Sequence, residues 1–184
     1  ASMALKGAKV ALVDLDLRKA SLSKALDKEH RGVAAYLNGK VSDYHDLIDE
    51  VQDGLYVLPV GKLPPNPTEL LLTDRFHKMM ESLRGEYDYI FVDCPPIDIV
   101  ADASIITKEV DMTIFVLRAG LLDKRAVPVL ESLYRSGKYT RMAVALNGVN
   151  LASRRYGSYG YGYGYGYGYG YGYGYGYGYG QQDD

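Results

Sequence analysis

The sequence predicts an α/β domain built on a mainly parallel sheet, followed by a tail with no core of its own. Three observations carry this. Apolar runs alternate with helix-forming stretches between Lys9 and Asn147, the pattern of strand–helix–strand units. Two of those runs end in an acid, Val10-Ala-Leu-Val-Asp14 and Tyr89-Ile-Phe-Val-Asp93. At Tyr156 the composition changes completely, and Tyr-Gly repeats run to Gly180.

Taken in order, Ala1–Lys6 has helix-forming composition and Gly7 suits the position after a helix end. The stretch reads as the last two turns of a helix. Lys9–Asp14 is the first strand, an apolar run bounded by charge and so buried on both faces. Ser21–Leu26 and Arg31–Leu37 are short helices, and Leu55–Val60 is a second buried strand closed by Gly61. In Pro64-Pro-Asn-Pro-Thr-Glu-Leu-Leu71, Asn66 suits an N-cap, Pro67 the first helical position and Glu69 the acid of a capping box. Leu72, Phe76, Met79, Met80 and Leu83 recur at helical spacing and read as core packing. Tyr89–Asp93 is the third strand, followed by Cys94-Pro95-Pro96. Ala101–Thr107 is a helix, Met112–Leu117 a fourth strand, Lys124–Ser136 an amphipathic helix broken by Gly137, and Met142–Leu146 a fifth strand ending at Asn147-Gly148.

Composition bounds the function. Residues 1–153 are enough for one ordinary domain, and residues 154–184 form the low-complexity tail. A net charge of −2 argues against a general nucleic-acid binder. Cys94 is the single cysteine, which excludes an internal disulfide framework and fits a reducing compartment. No apolar run approaches the ~18 residues of a membrane span, and no signal peptide is visible. The tail carries twelve of the nineteen tyrosines. With glycine at alternate positions and no aliphatic side chain, it is expected to be disordered.

Ligands of open α/β sheets bind beyond the carboxyl ends of the strands, and Asp14, Asp16 and Arg18 stand at such an end. Hard carboxylate oxygens there suit Mg²⁺, which takes one or two carboxylates plus phosphate oxygens. The plainer reading is a strand that meets solvent through a polar turn. Asp93, one whole α/β unit later, strengthens the chemical reading. In nucleotide-hydrolysing folds one such acid holds Mg²⁺ and the other orients or deprotonates the attacking group. Other chemistries find little support. His30, His45 and His77 share no metal-ligand spacing. Cys94 has no base partner and reads as packing, and no Gly-x-Ser-x-Gly elbow occurs.

Leu12-Val-Asp14-Leu-Asp16-Leu-Arg18 resembles the Walker A′ motif of bacterial tyrosine kinases, and Phe91-Val-Asp93-Cys-Pro95-Pro96 resembles their Walker B motif, with Asp102-Ala103 following as in that family. Leu58–Leu71 resembles their intervening stretch, and a C-terminal tyrosine cluster completes the set. The resemblance covers nearly the whole chain. It implies a P-loop ATPase fold using ATP and Mg²⁺, in a cytoplasmic kinase domain of capsular and exopolysaccharide assembly systems. By position, Asp14 would contact Mg²⁺ or act as base toward a tyrosine hydroxyl, Asp16 would assist, and Asp93 would hold Mg²⁺ through water. Arg18 would stabilise transferred charge, against the plainer reading of a surface salt bridge. Asn147 would contact the adenine, against the plainer reading of an Asn-Gly turn. The acceptors would be Tyr156, Tyr159, Tyr161, Tyr163, Tyr165, Tyr167, Tyr169, Tyr171, Tyr173, Tyr175, Tyr177 and Tyr179 on a neighbouring copy. The family further implies a homo-oligomeric ring, a fused or separate membrane adaptor, and a place at the inner face of the cell membrane.

One departure stands out. The phosphate-cradling Gly-x-x-x-x-Gly-Lys-Ser/Thr is absent. At Gly61-Lys62, Tyr56 occupies the first glycine position and Leu63 follows the lysine; Gly39-Lys40 and Gly137-Lys138 fail likewise. In the family this loop lies just before the helix that Ala1–Lys6 would end, so the expectation is a chain lacking its first strand, loop and half a helix, and binding ATP poorly alone. The alternative is a degenerate homologue without ATP binding. Two other functions compete: a partition or cell-division type ATPase, and an inert domain with an aromatic-glycine interaction tail. For the kinase, Asp14→Asn and Asp93→Asn are each expected to abolish transfer with the fold intact.

Overall fold

The computed structural model describes residues 1–28, 31–96, 101–121 and 127–149. All belong to the first of two units, Ala1–Val149; the second, Asn150–Asp184, contains the Tyr-Gly tail and lies outside the described residues. So do His30 and the expected helix start at Lys124.

The first apolar run forms β1 (Val10–Asp14), which pairs in parallel with β3 (Leu55–Leu58) on one side and β4 (Tyr89–Asp93) on the other. A strand with neighbours on both sides and cover on both faces needs an unbroken apolar run, and Val10, Ala11 and Val13 are buried. β2 (Asp49–Gln52) pairs antiparallel with β3, giving the order β2-β3-β1-β4. This strand is absent from the sequence reading because Asp-Glu-Val-Gln is an exposed edge with no apolar alternation. The turn that makes it was visible: Asp53-Gly54 is a hairpin dipeptide, and Gly54 adopts φ +69°. A second, parallel sheet joins β5 (Ile114–Arg118) and β6 (Ala143–Asn147).

Strand β3 stops at Leu58, two residues short of the expected end. Pro59 has no N–H to give, and the Val60 N–H donates to the Ser23 hydroxyl instead (2.9 Å). The helices are α1 (Ser21–Ala25), α2 (Val33–Leu37), α3 (Pro67–Leu71), α4 (Asp74–Glu86), α5 (Asp102–Ile106) and α6 (Val127–Arg135). At the N-terminus only Ala4–Lys6 is helical, as one 3-10 turn, with Gly7 left-handed behind it at φ +88°.

Helix α4 supplies the central cover. Phe76, Met79, Met80 and Leu83 fall on one face and are buried in the main core with Val13, Leu15, Leu37 and Leu58. Burying each such side chain contributes about 1.5–3 kcal/mol. Leu72 does not join them and is 67% exposed. The chain breaks helix at Thr73, so Leu72 ends α3 and lies off the α4 stripe. Pro67 opens α3 as expected, but no capping box forms. The Asn66 amide donates to Glu69 Oε2 (2.8 Å), leaving no side-chain bond to the backbone at this cap.

Candidate active site

The two acid-ended strands lie side by side. Register runs Val10↔Tyr89 through Asp14↔Asp93, so both acids end parallel neighbours at one level. The Leu15 N–H extends the ladder to the Asp93 carbonyl (2.9 Å).

Asp14 is fully buried, and its carboxylate is engaged at both oxygens. Oδ1 accepts from the Asp16 N–H (3.0 Å); Oδ2 accepts from the Ser23 N–H (2.9 Å) and the Ser23 hydroxyl (2.6 Å). The Val60 N–H donates to that same hydroxyl, so one buried carboxylate ties the end of β1 to α1 and, through Ser23, to the chain leaving β3. Asp16 is 5% exposed. Its Oδ1 accepts from the Arg18 N–H (3.3 Å) and the Lys19 N–H (3.1 Å), closing the turn out of β1. Its Oδ2 has no hydrogen-bond partner among the described residues.

Asp93 is half-buried and its carboxyl is pushed above the ordinary range. Burial is the main cause; the charges of Asp14 and Asp16 add to it, and a hydrogen bond from the Cys94 backbone works against it. Negative charge is therefore in excess at this strand end. Burial, then Asp93, Asp16 and Asp14, push the Cys94 thiol up to about 12, which removes it as a nucleophile at neutral pH. Its reading as a packing residue fits: it lies against the main core.

Arg18 is not a surface salt bridge of the ordinary kind. Its Nε donates to Asp102 Oδ2 (2.9 Å), and the Asp102 side chain is only 2% exposed against 39% for Arg18. Its Nη2 donates to the Thr68 hydroxyl (3.1 Å), which in turn donates to Asp102 Oδ1 (2.6 Å). A second junction fixes the loop before Thr68. The Val33 and Ala34 N–H groups donate to the Pro59 and Val60 carbonyls (2.7 and 3.1 Å), which brings Gly32 against Gly61 backbone to backbone.

The structure thus gathers Asp14, Asp16, Arg18 and Asp93, and adds Ser23, Thr68 and Asp102, which sequence reasoning did not place in the site. Thr68 and Asp102 sat inside stretches already singled out, but they lie 50 and 84 positions from Arg18, and such separations carry no local signal of a contact. Ser23 carried none. Asn147 ends β6 in the other sheet, and its Oδ1 accepts from the Gly148 N–H (2.7 Å), which is the turn reading. The tail tyrosines lie outside the described residues.

Among the described residues, no group of three or more His, Cys, Asp or Glu could hold a metal unaided. The donor set does fit Mg²⁺ shared with phosphate: hard oxygens on Asp16 and Asp93, in a field whose excess charge a cation would relieve. No helix among the described residues is long and apolar enough to cross a membrane.

No protein-family model matches the chain. Curated relatives do. The chain is 36% identical to the tyrosine-protein kinase CpsD of Streptococcus agalactiae over 162 residues, 86% of this chain and 70% of the relative. Among solved structures, the kinase domain of the Escherichia coli tyrosine kinase ETK matches with a TM-score of 0.73 and 32% identity. That match covers 88% of this chain, which spans 63% of the ETK chain, a little under two thirds. The septum site-determining protein MinD of Pyrococcus horikoshii, solved with Mg-ADP, matches with a TM-score of 0.60 over 77% of this chain and 58% of its own. At 22% identity it speaks for the fold alone. A parallel sheet, two acid-ended strands in register, and more than a third identity over most of its length mean that this chain belongs to the family of bacterial tyrosine-protein kinases.

Proposed function

We propose that this chain is the catalytic part of a tyrosine autokinase that moves the γ-phosphoryl group of ATP to tyrosines of a C-terminal cluster. The observation that carries the reading is the cluster of Asp14, Asp16 and Asp93 at the ends of paired parallel strands, with Arg18 fixed beside it. In the transfer the tyrosine oxygen bonds to the γ-phosphorus, the bond to the bridging oxygen breaks, and ADP leaves. The hydroxyl proton passes to a carboxylate of the cluster or to water. Mg²⁺, when bound, offsets phosphate charge. Asp16 and Asp93 are the carboxylates with oxygens available to face it. Asp14, fully buried, sets the negative field and the shape of the turn. Arg18 meets the charge that develops on the transferred group. Asn147 is the candidate for adenine contact.

Tyr156, Tyr159 and the repeat tyrosines are the proposed acceptors. A Gly-rich segment threads a neighbour's cleft with few side chains to clash, and repetition raises the local concentration of hydroxyls. The partners that follow are further copies of the chain, in a ring, and a membrane adaptor at the inner face of the cell membrane. The capsule and exopolysaccharide context is read from the relatives. The test is phosphotyrosine mapping by mass spectrometry, on protein expressed from the complete coding sequence and incubated with ATP·Mg²⁺. Phosphate on several tail tyrosines, nearly unchanged in Tyr161→Phe and lost on deleting residues 156–180, is expected. Protein that forms no phosphotyrosine would overturn the reading.

A further inference from the structure

We propose that Asp102 and Thr68 are positioning residues for Arg18, presenting its guanidinium in one orientation to the transferred phosphoryl group. The inference rests on the kinase reading for its chemistry, and on three hydrogen bonds for its geometry.

The three side chains close a ring. Arg18 Nε donates to Asp102 Oδ2, Arg18 Nη2 donates to Thr68 Oγ1, and the Thr68 hydroxyl donates to Asp102 Oδ1 (2.9, 3.1 and 2.6 Å). Asp102 is the first residue of α5 and is 1% exposed; such a carboxylate is stable there only while paired. Thr68 is the second residue of α3. Arg18 is anchored at its other end too, because its backbone N–H donates to Asp16 Oδ1. Head and root of the side chain are fixed by three different segments.

What remains free decides the function. A guanidinium has five N–H donors in a planar fork and no acceptor. Two are spent among the described residues, on Asp102 and Thr68. Three remain, two on Nη1 and one on Nη2, the fork that suits phosphate oxygens. Asp102 and Thr68 take the Nε–Nη2 edge of the guanidinium and leave the Nη1 side without a partner among the described residues. Thr68 makes the ring selective. Its hydroxyl accepts from Arg18 while donating to Asp102, so it orders both partners at once. The Gly32–Gly61 contact, with the Val33 and Ala34 N–H bonds to Pro59 and Val60, ties the start of the chain that leads to Thr68 to the start of α2.

The experiment uses nitrogen-15-labelled protein from the complete coding sequence, as wild type, Thr68→Val, Thr68→Ser and Asp102→Asn. The Arg18 Nε–Hε resonance is followed first. Slow solvent exchange is expected in wild type and Thr68→Ser, with exchange faster by about tenfold in Asp102→Asn, since the bond to Nε loses its charge assistance. Titration with magnesium pyrophosphate is then expected to shift that resonance in wild type and Thr68→Ser, and to shift it less at saturation in Thr68→Val, with the half-saturating concentration within about twofold of wild type. In the phosphorylation assay, kcat should fall about tenfold in Thr68→Val with KM for ATP within about twofold, and Thr68→Ser should restore it. Equal Hε exchange in all four proteins overturns the positioning role. A raised KM with unchanged kcat overturns the transition-state role. If Asp102→Asn does not fold, Thr68→Val decides: a kcat and a pyrophosphate-induced Hε shift both equal to wild type overturn the positioning role. Wild type without phosphotyrosine would remove the kinase reading, and the Hε exchange and pyrophosphate arms would still decide whether the ring holds Arg18 for an anion.

Discussion

Asp14→Asn is the sharpest test of how the site is built. From sequence alone, an isosteric amide at a strand end should remove chemistry and leave the fold intact. The structure predicts otherwise. Asp14 is fully buried and accepts three hydrogen bonds, one at Oδ1 and two at Oδ2. An asparagine has one acceptor oxygen. If that oxygen faces Ser23, the new NH₂ faces the Asp16 N–H, donor against donor, and the N–H is left unsatisfied. If it faces Asp16, the NH₂ meets the Ser23 N–H and hydroxyl, and the bridge to Val60 is disturbed as well. The first arrangement is cheaper. It loses one charge-assisted bond, weakens two others, and strands a buried donor, for a total of about 2–4 kcal/mol. In a domain of this size that lowers Tm by about 5–15 °C. Thermal and urea unfolding by circular dichroism, compared with wild type, measures it. An Asp14→Asn protein as stable as wild type would refute the view that this carboxylate ties β1, α1 and the end of β3 together.

Three further outcomes follow from the same geometry. Asp93→Asn should be neutral or stabilising at pH 7, because the raised Asp93 carboxyl makes its ionised form a liability in the fold. With the folded value above the unfolded one, this site favours folding more as pH falls through the folded value. That gain should vanish in Asp93→Asn when urea midpoints are compared across the acid range. Gly32→Ala should cost about 1–3 kcal/mol by overpacking, since its Cβ would press on Pro59 O, Val60 C and Gly61 N, all backbone. Gly61→Ala should cost more, adding a left-handed φ of +72° to contacts of 2.5 Å with Gly32 N and 2.8 Å with Arg31 C; unfolding that matches wild type in both would show that the loop can move aside. His45 is raised above its ordinary 6.5 chiefly by its hydrogen bond to Asp43, with Glu86 adding to it. Its contribution to stability is present below 6.5 and is lost as pH rises through the higher folded value, so His45→Gln should flatten stability across that window.

The frame of the fold was legible because the strongest signals are local. An apolar run ending in Asp marks a central parallel strand, and β1 and β4 both obey it. The Met and Phe stripe of α4 marks core, and it is buried except at Leu72, where a helix break falls between periodic residues. Gly7 in a left-handed turn follows from residue type. What stayed hidden is non-local. β2 is a polar edge whose partner, rather than its own residues, makes it a strand. The carboxylates could be listed from sequence, but not their division of labour. That Asp14 is engaged and Asp16 keeps an open oxygen depends on Ser23 arriving from α1. Likewise Arg18 reads as a surface residue until α5 supplies Asp102 beneath it.

The suppressed thiol of Cys94 gives this protein a built-in clock. It is the only cysteine, and it lies next to Asp93. With burial and the neighbouring carboxylates pushing its thiol up to about 12, native protein carries far less thiolate than an open chain at mildly alkaline pH. Alkylating reagents therefore react almost only with molecules in which the segment after β4 has opened. Under fast reclosing, the labelling rate reads the free energy of that opening, as hydrogen exchange does for an amide. Each tenfold slowing corresponds to about 1.4 kcal/mol of added protection. A nucleotide or cation that settles against Asp93 should register as slower labelling, which allows ligands to be ranked at the strand end without any turnover.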